Sequence, residues 1–187
     1  GYVSVTVNYR KLPNFGIEQC VEDAKAAVRW VRENAGELGV DPERIGALGG
    51  SAGGHLVAVL ATTADPTCKV DAAVAVAAGD LGHPRLEPFY EMAGLTAEQA
   101  KRLGAYPHIQ KNATPLLLVH GTDDEAVPFQ VSKDLHARYQ QRGAQSKLIL
   151  LPDYQHVFYV TPKTFFEAMG YARAFFAEQF AFKDSGS

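Results

Sequence analysis

The chain has 187 residues, 47% of them apolar and 21% charged, which describes one globular domain and excludes a disordered tail, a collagen-like repeat or a disulfide-dense miniprotein. A domain of this length buries roughly 70% of the surface of its unfolded chain, enough for a large core. The net charge of −3 gives no footprint for nucleic acid, no run of about 18 uncharged apolar residues could span a membrane, and the two cysteines, Cys20 and Cys68, lack metal-ligand company.

Val3, Val5 and Val7 alternate with Ser4, Thr6 and Asn8, predicting a strand at the start of the chain. A chain that opens inside a strand is expected to follow a missing N-terminal segment, where any signal peptide would lie. Ile17, Cys20, Val21, Ala24, Ala27, Val28 and Val31 recur at three- and four-residue steps and predict an amphipathic helix stopped by Gly36. Residues 44–48 predict a short strand leading into Gly49-Gly50-Ser51-Ala52-Gly53-Gly54, and 55–61 a buried helix. Residues 72–78 predict a buried strand.

The pattern loosens over 81–112, with Pro84, Pro88 and Pro107; Thr96 and Gln99 in capping-box spacing and Gly104 bracket one short helix there. Strands over 116–119 and 148–151 enclose a helix marked by Val131, Leu135 and Tyr139 and ended at Gly143. Phe165, Met169, Ala172 and Phe176 mark a last helix, with Thr164 and Glu167 in capping-box spacing. Five strand–helix alternations imply an α/β fold, a mostly parallel sheet flanked by helices. No repeat or linker divides it, so residues 1–187 form one domain, with 81–112 as a small cap or pocket-lining segment. Some of the apolar Pro84, Pro88, Phe89, Tyr90 and Met92 are expected to wall an acyl or alcohol pocket above Ser51.

Gly49-x-Ser51-x-Gly53 falls between a predicted strand and a predicted helix. Glycines there allow the sharp turn that lifts a serine hydroxyl off the sheet, and Gly50 and Ala52 are small, as a crowded elbow requires. The Ala52 N–H, at a helix N-terminus, suits stabilisation of an oxyanion. A serine needs a base, and the base an orienting acid, here in the chain order Ser, acid, His. Asp123, Asp124 and Glu125 follow one strand, and His156 lies in the loop 152–158 after the next, all at the carboxyl edge of a parallel sheet. The other histidines have plainer readings: His55 in the buried helix, His120 as a turn-packing residue, His83 and His108 in the loose segment, and His136 on a helix flank.

Residues 5–13 (VTVNYRKLP), Asp23, Ala27, Trp30 and Val31 in D-x-x-x-A-x-x-W-V spacing, and 39–45 (GVDPERI) leading into 49–56 (GGSAGGHL) resemble the α/β-hydrolase esterase/lipase superfamily. Within it, 49–56 is similar to the elbow of the BD-FAE / hormone-sensitive-lipase-like branch, of acetyl and feruloyl esterase type, and 105–109 (AYPHI) is similar to the A-S-P-I segment before the penultimate strand. The resemblance covers nearly the whole chain. Its H-G-x-x-D and V-P pattern falls on His120, Gly121, Asp124, Val127 and Pro128, which implies Asp124 as the acid, with Asp123 as fallback, and a structural role for Asp80-Leu81.

That family carries further oxyanion donors on a His-Gly-Gly-Gly loop upstream of the opening strand, and no such segment is present: the only His-Gly pair is His120-Gly121. Its intervening strand is absent as well. Strands 3–7 and 44–48 are therefore expected either two spacings apart, about 9–10 Å, or paired directly at about 4.8 Å. The implied function is serine carboxylic-ester hydrolysis through an acyl-enzyme, on small or carbohydrate-linked esters, with Ser51, His156 and Asp124 as catalytic residues. No metal or organic cofactor is implied. Two alternatives stand beside it: a peptidase or formamidase on the same fold, and a non-catalytic hydrolase-fold fragment or binding module. Peptidase relatives usually carry an aromatic residue after the nucleophile, where this chain has Ala52.

Overall fold

A computed structural model describes residues 1–156 and 162–181. Four parallel strands, β1 (Gly46–Gly50), β2 (Ala72–Val76), β3 (Leu116–Gly121) and β4 (Ser146–Leu151), pair in sequence order. Gly46 lies opposite Ala72, Val76 opposite Val119, and Gly121 opposite Leu151. Every residue of β2 and β3 is buried. Their side-chain period of two divides each apolar run between two cores. Ala73, Ala75, Leu116 and Leu118 face one core; Ala72, Val74, Val76, Leu117 and Val119 face the other.

The first core is covered by α1 (Ile17–Glu33), α3 (Ala52–Thr62) and α6 (Gln130–Gln141), the second by α7 (Pro162–Gln179). Helix α1 buries Cys20, Val21, Ala24 and Val28, the stripe that its periodicity predicts. It ends at Asn34, whose side-chain amide donates to Trp30 O at 2.7 Å, and not at Gly36. Gly36 sits inside the one-turn α2 (Ala35–Leu38), which Gly39 terminates in the left-handed conformation, φ 65°. Thr164 does not cap α7, which begins two residues earlier. No helix among the described residues is long and apolar enough to cross a membrane.

The loose segment holds two helices, α4 (Glu87–Met92) and α5 (Ala97–Leu103). The Thr96–Gln99 capping box is present at α5. Helix α4 escapes the sequence because of Pro88, which occupies the first turn, where a missing N–H costs nothing. Both ends of the segment are pinned by one buried carboxylate. Asp80 accepts from the backbone N–H groups of Gly82 (3.0 Å), Ala105 (2.9 Å) and Tyr106 (2.6 Å). A Cβ on Gly104 would lie 2.2 Å from Gly82 N, so the neck closes only around glycine. Leu86, Ala105 and Ile109 then pack into the core under α3 and α6.

The opening residues correct the sequence reading. Residues 1–10 form no strand, and Val3, Val5 and Val7 are 58%, 42% and 42% exposed. Alternation supplies side chains for a strand, but a strand exists only where a neighbour takes its N–H and C=O groups. Among the described residues β1 is hydrogen-bonded to β2 alone, so the direct pairing considered above does not occur. Leu48 on that open edge is 44% exposed.

Residues 1–10 are tethered instead by side chains. The Arg10 N–H (2.9 Å) and its guanidinium Nη2 (2.6 Å) donate to Asp23 on α1, holding that carboxyl down at about 2. A depressed carboxylate pKa means that this tether is fully formed above the ordinary carboxylate range and is lost as pH falls toward 2. Asp23→Asn is expected to leave α1 intact at pH 7 while speeding amide exchange over residues 3–10. Unchanged exchange there would show that the tether is not what holds the segment.

Candidate active site

β1 runs directly into the elbow. Ser51 adopts φ 53°, ψ −116°, a conformation costly for a residue with a Cβ, typically about 1–3 kcal/mol. Its N–H is anchored on Val76 O at 2.9 Å, and α3 starts at the next residue. The Ala52 N–H thus belongs to the first helical turn, which has no intrahelical acceptor and carries the positive end of the dipole.

The glycines of the elbow are unequal. A Cβ on Gly49 would meet Gly53 O at 2.4 Å, and one on Gly54 would meet the Ala78 Cβ at 2.7 Å. A Cβ on Gly53 would meet open space. The motif's last glycine is therefore not the steric requirement; Gly54, which lets α3 approach Ala78, is.

Ser51, Asp124 and His156 come together from three strand ends. The Ser51 hydroxyl donates to His156 Nε2 at 2.8 Å, and His156 Nδ1–H donates to Asp124 Oδ2 at 2.7 Å. Asp124 is buried, and its Oδ1 accepts from the N–H groups of Ala126 (3.0 Å) and Val127 (2.7 Å). Asp123 and Glu125 are exposed, and Asp123 accepts from the Thr122 hydroxyl. Asp80 is engaged at the neck of the loose segment.

The loops that carry Asp124 and His156 are bonded to each other at two points. Asp123 N–H donates to Tyr154 O at 3.0 Å, and Asp153 N–H to Thr122 Oγ1 at 3.1 Å. A Cβ on Gly121 would lie 2.0 Å from Tyr154 O, so only glycine lets the loops approach. Asp153, at φ 64°, supplies the reverse bend before Tyr154, whose hydroxyl donates to Glu167 on α7 at 2.8 Å.

His120 departs most from its sequence reading. It is fully buried, with Nε2 3.0 Å from Asp124 Oδ2 and 3.0 Å from Val127 O, and Nδ1 2.7 Å from the Ser132 hydroxyl. The H-G-x-x-D spacing was the signal for it, since four residues across a tight turn return the acid to the imidazole. The remaining histidines lie elsewhere. His55 is buried, which pushes its pKa down, and its ring nitrogens find no hydrogen-bond partner among the described residues. His83 pairs with Asp134, His108 with Lys101 O, and His136 with Ser146.

Two clefts flank the loose segment. One of about 250 Å³ is lined by His83, Pro84, Glu87, Tyr90 and Lys101 among others, and one of about 330 Å³ by Lys25, Thr62, Arg102 and His108 among others. Neither lining includes Ser51 or His156. Tyr90 is buried and bonded to Glu87, Phe89 is half-buried against the first core, and Met92 is exposed. Among the described residues, no group of three His, Cys, Asp or Glu could hold a metal ion.

The unequal glycines give a direct test. Gly49→Ala is expected to destabilise the fold by about 2 kcal/mol or more, because the obstacle is backbone. Gly53→Ala should be neutral or stabilising by up to about 1 kcal/mol, from helix propensity. Urea unfolding of both variants checks the ordering, and equal losses would contradict it.

Comparison with known proteins places this geometry. The prolyl oligopeptidase family model matches residues 8–183. Esterase LipQ of Mycobacterium tuberculosis (strain ATCC 25618 / H37Rv) is 31% identical over 181 residues, covering 84% of this chain and 43% of the relative. The probable carboxylic ester hydrolase LipM of the same strain is 31% identical over 220 residues, covering 100% and 49%. The chain thus spans less than half the length of either. The thermophilic esterase Est2 of Thermogutta terrifontis superposes with a TM-score of 0.80 at 29% identity, covering 96% of this chain and 71% of that one. With its parallel sheet, its elbow and these esterase relatives, the chain is an α/β-hydrolase and belongs to the prolyl oligopeptidase family.

Proposed function

We propose that this chain carries the site of a serine carboxylic-ester hydrolase. The observation that supports it best is the continuous path from Ser51 Oγ through His156 to Asp124, with both contacts under 3 Å. In this reading Ser51 attacks the ester carbonyl while His156 Nε2 takes the hydroxyl proton. His156 then returns that proton to the departing alkoxide, leaving an acyl-serine that water cleaves by the same route in reverse. Asp124 keeps Nδ1 protonated, so that the lone pair on Nε2 faces the serine. The Ala52 N–H stabilises the oxyanion.

The family's name favours a second reading, a peptidase. Against it stand Ala52 in place of an aromatic residue after the nucleophile, and relatives that are esterases. Est2 has been solved with butyrate and with propionate bound, which supports short acyl groups for this chain too. The reading also takes residues 81–112 as a wall of the ester pocket, with Phe89 and Met92 as the side chains to vary.

One oxyanion donor, the Ala52 N–H, is fewer than an oxyanion usually meets. We propose that the open edge of β1, where Leu48 is exposed, takes a further strand bearing the remaining donors. Loss of one such donor lowers turnover by about 10²–10³.

A fluorophosphonate probe is expected to label Ser51 and no other serine, and Ser51→Ala and His156→Ala should each abolish labelling. p-Nitrophenyl acetate and butyrate should be cleaved in preference to aminoacyl p-nitroanilides. The reverse preference would establish the peptidase reading. Turnover by these 187 residues alone should be weak; robust turnover that Ser51→Ala removes would eliminate the need for a further strand.

A further inference from the structure

The hydrolase reading uses one imidazole and leaves a second, His120, buried directly behind the acid. We propose that His120 and Ser132 are a positioning pair that holds the Asp124 carboxylate, and through it the His156 ring, in the orientation that proton transfer from Ser51 requires. The proposal rests on the hydrolase reading.

The hydrogen bonds fix the state of His120. Its Nε2 faces two acceptors at once, Asp124 Oδ2 and Val127 O, each at 3.0 Å. Neither can donate, so Nε2 carries the proton and shares it between them. Burial pushes the ring's pKa down, so the ring is neutral and Nδ1 bears a lone pair. The Ser132 hydroxyl, 2.7 Å away on α6 and itself fully buried, is therefore the donor. Exchanging the tautomer would set the Nε2 lone pair against a carboxylate and a carbonyl, so two neighbours select a single form.

The consequence falls on Asp124. A carboxylate offers about four lone-pair directions. Here all are filled: Oδ1 by the Ala126 and Val127 N–H groups, Oδ2 by His156 Nδ1–H and His120 Nε2–H. The backbone donors alone would let the group pivot about Oδ1. The bond from His120, braced from α6 by Ser132, stops that pivot at the oxygen that His156 uses. A side chain that merely fills volume would not do this, and the difference is measurable.

The test combines ring ¹⁵N NMR with kinetics on the full chain. In the wild type, His120 should show protonated Nε2 and bare Nδ1, and Ser132→Ala should shift the Nδ1 resonance. His120→Leu keeps apolar bulk but no donor, whereas His120→Gln keeps an N–H directed at Oδ2. A base displaced by a fraction of an ångström loses much of its rate, so His120→Leu should lower kcat on p-nitrophenyl butyrate about 10- to 100-fold with KM within about twofold. His120→Gln should recover to within about fivefold of the wild type, and Ser132→Ala should lose about 3- to 10-fold.

Equal kcat for folded Leu and Gln variants, or a His120 ring protonated at Nδ1, would overturn the proposal. Should His120→Leu fail to fold, Ser132→Ala decides, and an unchanged kcat in it is fatal. Should the wild type show no turnover and no labelling, the hydrolase reading fails by itself. The downfield His156 Nδ1–H proton resonance then decides the positioning: it should move in Ser132→Ala and in folded His120→Leu, and an unmoved signal would refute it.

Discussion

One row of backbone hydrogen bonds sets everything at the carboxyl edge of the sheet. The ladder does not stop where the strands do. Ser51 N–H reaches Val76 O at 2.9 Å, Ala77 N–H reaches Val119 O at 2.8 Å, and Thr122 N–H reaches Leu151 O at 3.0 Å. β1, β2 and β3 each hand their first loop residue to the next strand: to the last residue of β2 and of β4, and to Val119, two residues before the end of β3. The register of a parallel sheet is thereby carried one residue beyond it, into segments that would otherwise be free to drift. Ser51 is locked by the row itself, Asp124 follows two residues after Thr122, and His156 follows five after Leu151.

Beyond that row, the separation between acid and base depends on a contact that excludes side chains. Gly121 and Tyr154 O come close enough to forbid a Cβ, and the bonds Asp123–Tyr154 and Asp153–Thr122 fasten the two loops at two points. Left-handed backbone at Ser51 and Asp153, neither of them glycine, shows where conformational energy is held. Tyr154 then ties the base loop to α7 through Glu167, on the opposite face from α6, which supports His120. Helices on both faces of the sheet thus brace one small group of side chains.

The central strands and the elbow were legible in the sequence because their signals are local. Short unbroken apolar runs at 72–78 and 116–119 read as strands buried on both faces, and glycine around a serine between strand and helix is a short-range pattern. Whatever depends on a distant partner was not legible. Residues 3–7 alternate well but have no neighbour to complete a ladder. Pro88 hid α4, since a proline marks either a break or a first turn. Gly53 and Gly54 look alike in sequence, and only the approach of Ala78 separates them. His120 read as packing because two of its partners, Val127 O and Ser132, lie 7 and 12 residues away, and only the H-G-x-x-D spacing pointed to the third, Asp124. Of the site, Ser51 and His156 followed from chain order, while the choice among Asp123, Asp124 and Glu125 needed the family pattern.

The neck held by Asp80 has a consequence for how such a protein diversifies. Residues 80–82 and 104–106 are joined across one carboxylate, so the chain leaves and re-enters the sheet framework at nearly the same place. Whatever lies between is a closed excursion whose length and composition need not be matched to the spacing of β2 and β3. Provided Leu86 keeps its place in the core, insertions, deletions or replacements within it would alter the surface without shifting a strand. A scaffold arranged in this way lets that excursion vary while the strand ends that carry Ser51, Asp124 and His156 keep their register.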